Sequence, residues 1–141
     1  MVAVHARMRS ALKVSMEAVA NGRDLPDPGR DLLLFCHGFC TALDGHHRGE
    51  DALLFPAIEA QHPDLSATLR MLEQDHAMIG TLLAGLKSAV ERRASPGILG
   101  RHLDGLAAIM ESHFRFEERT LLGILDDLDL TASTKDVYGP L

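Results

Sequence analysis

The stretch Gly45-His46-His47-Arg48-Gly49-Glu50-Asp51-Ala52-Leu53-Leu54-Phe55-Pro56 decides how the chain is read. In a helix of 3.6 residues per turn, His46 and Glu50 stand one turn apart on one face, so an imidazole and a carboxylate converge on one point. That is the donor pair a metal ion takes up. The same spacing returns at His113 and Glu117, within Ser112-His113-Phe114-Arg115-Phe116-Glu117-Glu118. Two single histidines, His5 and His76, fall in the two other helical stretches.

Outward from there, apolar residues recur at helical intervals through four segments. Val4, Met8, Leu12, Met16 and Val19 mark the first, which Asn21-Gly22 ends. Arg23 to Gly29, with Pro26 and Pro28, reads as a connection. From about Arg30 the second carries Leu32, Phe35, Cys36, Phe39, Leu43, His46, Glu50 and Leu54 on one side. Gly49 weakens it by about 1 kcal/mol relative to Ala, so something local must justify a glycine, and Pro56 is placed to kink or tighten it. After the turn Gln61-His62-Pro63-Asp64, where Asp64 and Ser66 offer capping groups, the third runs from about Leu65 to Arg93. Its inward residues are Leu69, Leu72, His76, Ile79, Leu83, Leu86 and Val90. Ala94-Ser95-Pro96-Gly97 breaks it, and the fourth runs from near Ile98 to about Leu128 with Leu99, His102, Leu106, Ile109, His113, Phe116, Glu117 and Leu121 on one face. No strand alternation or repeat competes, and the expected fold is all-α, an up-down-up-down four-helix bundle. Residues 1–128 form the bundle and 129–141 a C-terminal tail without periodicity.

A net charge of -6 on 141 residues excludes nucleic acid and anionic membrane surfaces as main partners, since both select basic patches. There is no charged-then-apolar leader and no apolar run of membrane-spanning length, so a cytoplasmic location is expected. Cys36 and Cys40 lie four apart in the second helix, where a disulfide would be strained; they are expected to be reduced and packed.

Four helices meet at one metal site only if the residues share a level as well as a face. With the first turn near residue 26, His5 lies 21 residues before it and His46 lies 20 after. About Pro63, Glu50 and His76 are each 13 away, and about residue 95, His76 and His113 are 19 and 18 away. At about 1.5 Å per residue the mismatches are a couple of ångströms. His5, His46, Glu50, His76, His113 and Glu117 are therefore expected in one layer as metal ligands. Any one inward histidine is more simply a hydrogen-bonded core residue, but six residues agreeing in face and level are not, because a bundle gains nothing from burying four imidazoles and two carboxylates without a partner.

The remaining polar residues take lesser places. His47 with Asp51 repeats the i, i+4 spacing but is turned roughly 60 to 100 degrees from the inward line, which puts the pair behind the ligands or on the surface and makes it the nearest competitor of His46 and Glu50. Glu118 either contacts a ligand from behind or is solvated. His102 shares the face of His113 about 16 Å along the axis, as a core or access-path residue. His37 and His62 are expected to face solvent.

Imidazoles with two carboxylates and no thiolate suit iron or manganese better than structural zinc. The order His, His-x-x-x-Glu, His, His-x-x-x-Glu, with the wording His46-His47-x-x-Glu50-Asp51, Leu54-Phe55-Pro56, Glu73-Gln74-Asp75-His76 and His113-Phe114-x-x-Glu117-Glu118, resembles the hemerythrin-like (HHE cation-binding) family over nearly the whole chain to about Leu128. The resemblance implies a non-haem di-iron centre, two iron ions with His5 and His46 on one, His76 and His113 on the other, and Glu50 and Glu117 as bridges. It implies as partner a small diatomic gas or peroxide, whether bound reversibly, sensed or turned over. Oxygen-carrying members have a further histidine where this chain has Gly80, so four imidazoles leave open positions that favour peroxide or nitric oxide chemistry. Tyr138 is the only tyrosine that could substitute. The alternative function is a sensor of oxygen, nitric oxide or iron, which would need a partner protein, or an iron store without turnover. Ferritin-like di-iron proteins are the structural rival through Glu59/His62 and Glu73/His76, but His62 sits in a turn while His76 is about 13 residues into a helix, so the motifs do not meet.

Overall fold

The computed structural model describes residues 1–21, 28–129, 132–133 and 136–137, with the side chains of 28–36 outside that description. Helix α1 spans Val2–Ala20 and α2 spans Pro28–Gly49; α2 runs through a π-helical turn, Glu50–Leu54, into α3, Phe55–Gln61. A 3-10 turn at Pro63–Leu65 leads to α4, Ser66–Glu91, and a short connection to α5, Pro96–Leu125. Packing runs α1 on α2, α2 on α4, α4 on α5 and α5 on α1, so the four rods close a square in chain order. This is the expected all-α, up-down-up-down bundle. Among the described residues no helix is long and apolar enough to cross a membrane.

The π turn is the one departure inside the second rod. Phe55 donates its amide to the Glu50 carbonyl, five residues back, so one extra residue is accommodated just before Pro56. Pro56 has no N–H for the carbonyl four residues earlier and its ring would crowd it; widening the preceding turn relieves both. The extra residue shifts the phase of the helix, which is why Leu54 and Phe55, adjacent in sequence, are both buried. Gly49 is explained at the same place. A Cβ there would collide with the backbone carbonyl of Val137, whose side chain is buried.

The helix ends differ from expectation in detail. Asp64 and Ser66 do not cap α4: its N-cap is Leu65, with no side-chain cap hydrogen bond, because the 3-10 turn leads straight into the helix. Pro96 stands in the first turn of α5, where its missing N–H costs nothing, so the helix starts before Ile98. Helix α4 ends on Arg93 in the left-handed region (φ 53), with Ala94 N–H bonding back to the Ala89 carbonyl at 2.9 Å.

Two apolar clusters fill the bundle. One gathers Met8, Leu12, Phe39, Leu43, Ile79, Leu83, Leu86, Leu103, Leu106, Met110 and Phe114; the other gathers Leu54, Phe55, Ile58, Leu69, Leu72, Leu121 and Val137. In α2, α4 and α5 the sequence passes from one cluster to the other across a short polar interval, at His46 to Glu50, at His76 and at His113 to Glu117; in α1, His5 precedes Met8. The polar intervals are at one level, and they form a slab between two greasy ends. Cys40 is half-buried against the larger cluster. The side chain of Cys36, and with it the expected cysteine pair, lies outside the described residues, as does Tyr138.

Candidate metal centre

The slab holds His5 from α1, His46 and His47 from the last turn of α2, Glu50 from the π turn, His76 from α4, and His113 and Glu117 from α5, all buried. All six residues expected from face and level are brought together. His5 Nε2 lies 3.1 Å from His46 Nε2, and His76 Nε2 lies 3.1 Å from His113 Nε2. Each glutamate reaches across the two pairs. Glu50 Oε2 is 3.4 Å from His46 Nε2 and 3.7 Å from His76 Nε2; Glu117 Oε2 is 3.3 Å from His5 Nε2 and 3.8 Å from His113 Nε2.

Among the described residues, none donates a hydrogen bond to any of the four oxygens of Glu50 and Glu117, although both side chains are fully buried. An orphaned buried carboxylate carries a desolvation cost of several kcal/mol, which a cation removes. The electrostatics agree. Burial, and then the neighbouring charge of Glu117, push the Glu50 carboxyl well above the usual carboxylate range. Burial, and then His5, His76 and His113, push His46 down to about 2, and burial, then His76 and His46, lower His47. Burial also lowers His113, against the opposing pull of Glu117. His46, His47 and His113 are thus favoured neutral, with lone pairs to donate, and two nitrogens about 2.1 Å from one ion at right angles to it would stand about 3.0 Å apart. The residues fit a bound cation.

The outer face of the slab fixes the rings. His5 Nδ1 is 2.8 Å from Glu118 Oε1, and Arg9 Nη1 donates to the same oxygen at 3.0 Å while its Nε donates to Glu111 at 2.8 Å. Burial works against ionisation of Glu118, but the hydrogen bonds from Arg9 and His5 outweigh it and hold its carboxyl below the usual range. His76 Nδ1 is 2.7 Å from Asp51 Oδ1, and Asp75 Oδ2 stands 3.5 Å from His113 Nδ1. A proton on Nδ1, held by a carboxylate, leaves Nε2 with its lone pair facing inward. Phe114 stacks on His5 with centroids 4.0 Å apart, and Phe55 lies 5.5 Å from His76, closing the slab against water.

One ring nitrogen or carboxylate oxygen from each of His5, His46, Glu50 and Glu117 can be chosen so that all lie within 4.8 Å of one another, and so can one ring nitrogen from each of His47, His76 and His113. His47 is the residue that sequence reasoning left outside. It is 5% exposed, stacked on His76 at 3.9 Å, and its presence makes five imidazoles where four were expected. Two signals pointed to it: the repeated His47/Asp51 spacing, and the absence of a second histidine from α4. Asp51 and Glu118 take the supporting role that was one of their two readings. His37 is exposed as expected, His62 is partly exposed in its turn, and His102 is half-buried with its ring against Gly85.

Residues 1–125 match the family model described as the hemerythrin HHE cation binding domain. No curated protein and no solved structure matches the chain.

Proposed function

Because the chain belongs to the hemerythrin HHE cation-binding family, whose domains bind metal cations, we propose that it holds two iron ions and reacts with a small oxidant: peroxide, nitric oxide or dioxygen. In this reading His5 and His46 serve one ion, His76 and His113 the other, and Glu50 and Glu117 bridge them. One observation carries it: two buried carboxylates without hydrogen-bond donors, each within 4 Å of one imidazole from each pair. A single cation would leave one pair of nitrogens and one end of each carboxylate unused. The 3.1 Å separation within each pair supports right-angled donors, as six-coordinate iron or manganese takes, over the tetrahedral angle of zinc, for which about 3.4 Å would be expected.

When bound, the iron pair supplies the redox and Lewis-acid chemistry. The chain contributes the rest. Glu118 and Asp51 keep the His5 and His76 rings in the donating tautomer, and Leu54, Phe55 and Phe114 exclude water from the slab. The working unit in this proposal is residues 1–128, with 129–141 as its tail, in the cytoplasm. The second reading is a sensor or iron store with the same site and no turnover, signalling through a partner protein.

Elemental analysis of protein from iron-replete cells, with absorption spectra before and after peroxide, tests the proposal. About two irons per chain and spectral cycling with peroxide support a reactive centre. Two irons that bind nitric oxide or dioxygen without turnover favour the sensor, and failure to take up iron on reconstitution at neutral pH overturns both.

A further inference from the structure

We propose that His47 is itself a metal ligand, the third imidazole on the ion held by His76 and His113; this rests on the two-ion reading above. His47 is inside the slab, and its Nε2 is buried with no hydrogen-bond partner among the described residues, so the nitrogen has been taken out of water with none of them to receive its lone pair or proton. That atom belongs to a residue that offers a donor within 4.8 Å of donors from both His76 and His113. The ring lies parallel to that of His76, 10° from coplanar at a centroid distance of 3.9 Å, and edge-on to His113 at 5.4 Å.

The helix that would otherwise supply a further donor does not. Gly80, one turn after His76, has no side chain and its Cβ direction meets open space. His47 approaches from α2, the neighbour of α4 in the square, so the third nitrogen comes from across the interface. The two ions then differ: three imidazoles on one and two on the other, with both glutamates shared. A purely structural His47 would instead steady His76 by stacking alone, and phenylalanine could do that equally well.

The test uses the full chain labelled with 15N-histidine, stripped of metal and titrated with cobalt(II), reading cobalt per chain and the number of ring N–H protons that carry a contact shift, which only a ligating ring acquires and which is counted here as a shifted signal. The wild type is expected to bind two cobalts and show five shifted ring N–H signals. The variant His47→Phe, which keeps an aromatic ring in the stack and removes the nitrogen, is expected to show four and to bind its weaker cobalt at least about tenfold less tightly, since loss of mere supporting contacts already costs about that much. Two cobalts with only four shifted signals in the wild type would overturn the His47 assignment and leave the two-ion reading standing, as would a variant with unchanged affinity and signal count. No cobalt uptake by the wild type would overturn the two-ion reading and this one together. The wild-type count needs no variant, so a misfolded His47→Phe does not blunt the test.

Discussion

Glu50 costs the fold stability where it stands among residues able to hold a metal ion. Its carboxyl is pushed above its ordinary range by burial and by Glu117, so ionising it at neutral pH works against the metal-free protein. Glu50→Gln should therefore move the two forms in opposite directions. Metal bound per chain should fall, while the chelator-stripped variant should melt at a higher temperature than stripped wild type by about 1 kcal/mol of stability, read by calorimetry. Glu118→Ala should behave otherwise: with His5 released from its hydrogen bond at 2.8 Å, metal affinity should drop roughly 10- to 100-fold in a competition titration, and metal-free stability should fall as well, by about 1–3 kcal/mol, because the buried Nδ1 of His5 loses its partner. At this scale the sequence was most readable where a residue repeats every fourth position, as His46 and Glu50 do. His47 was hidden because a regular helix turns it about 100° from its neighbour, and only the position of the site between the two directions lets both rings reach it.

Among the elements, the second rod shows most clearly what a periodic pattern conceals. Its inward line of Phe39, Leu43, His46, Glu50 and Leu54 was legible, and these residues are buried. The π turn was not, because an inserted residue leaves no mark on composition; Gly49 and Pro56 signalled only that something happens there. Gly49 is required by a contact from far along the chain, the Val137 carbonyl, which no local pattern encodes. Gly49→Ala should therefore destabilise the full chain by about 2 kcal/mol in urea unfolding, through displacement of Val137 from the apolar cluster. In a chain ending at Leu128 the same change should be neutral or stabilising by up to about 1 kcal/mol, since alanine is the better helix former. A loss of equal size in both backgrounds would place the fault in the helix itself. At the end of α4, Arg93 carries the left-handed conformation that glycine adopts freely, and Arg93→Gly should raise stability by about 0.5–1 kcal/mol in the same assay.

The whole molecule was readable from the sequence to the level of a four-helix square with one polar layer, because turn positions and helical rise alone set which residues share a height. Acid should act on that layer in a defined direction when metal is absent. His46 has its pKa depressed from 6.5 to about 2 in the fold, so its contribution is present above about pH 6.5 and is lost as pH falls towards 2; His47 and His113 shift the same way. Glu50, raised in the fold, acts oppositely and favours the fold as pH falls. Three imidazoles outweigh one carboxyl. Stripped protein should lose about 1.4 kcal/mol per pH unit for each net proton taken up on unfolding, checked by urea titrations at pH 7.5 and 5.5.

The slab of imidazoles and carboxylates between two apolar clusters also governs how the protein comes apart. Without ions it is a fault plane: like charges and orphaned nitrogens separate two oily halves that have little reason to melt together. A cation held there would turn the same plane into a weld, since Glu50 and Glu117 each lie within 4 Å of imidazoles from two different helices. A bound metal would then confer cooperativity on this bundle, and an unfolding trace that is a single sharp step when loaded should broaden or split in two once the metal is withdrawn.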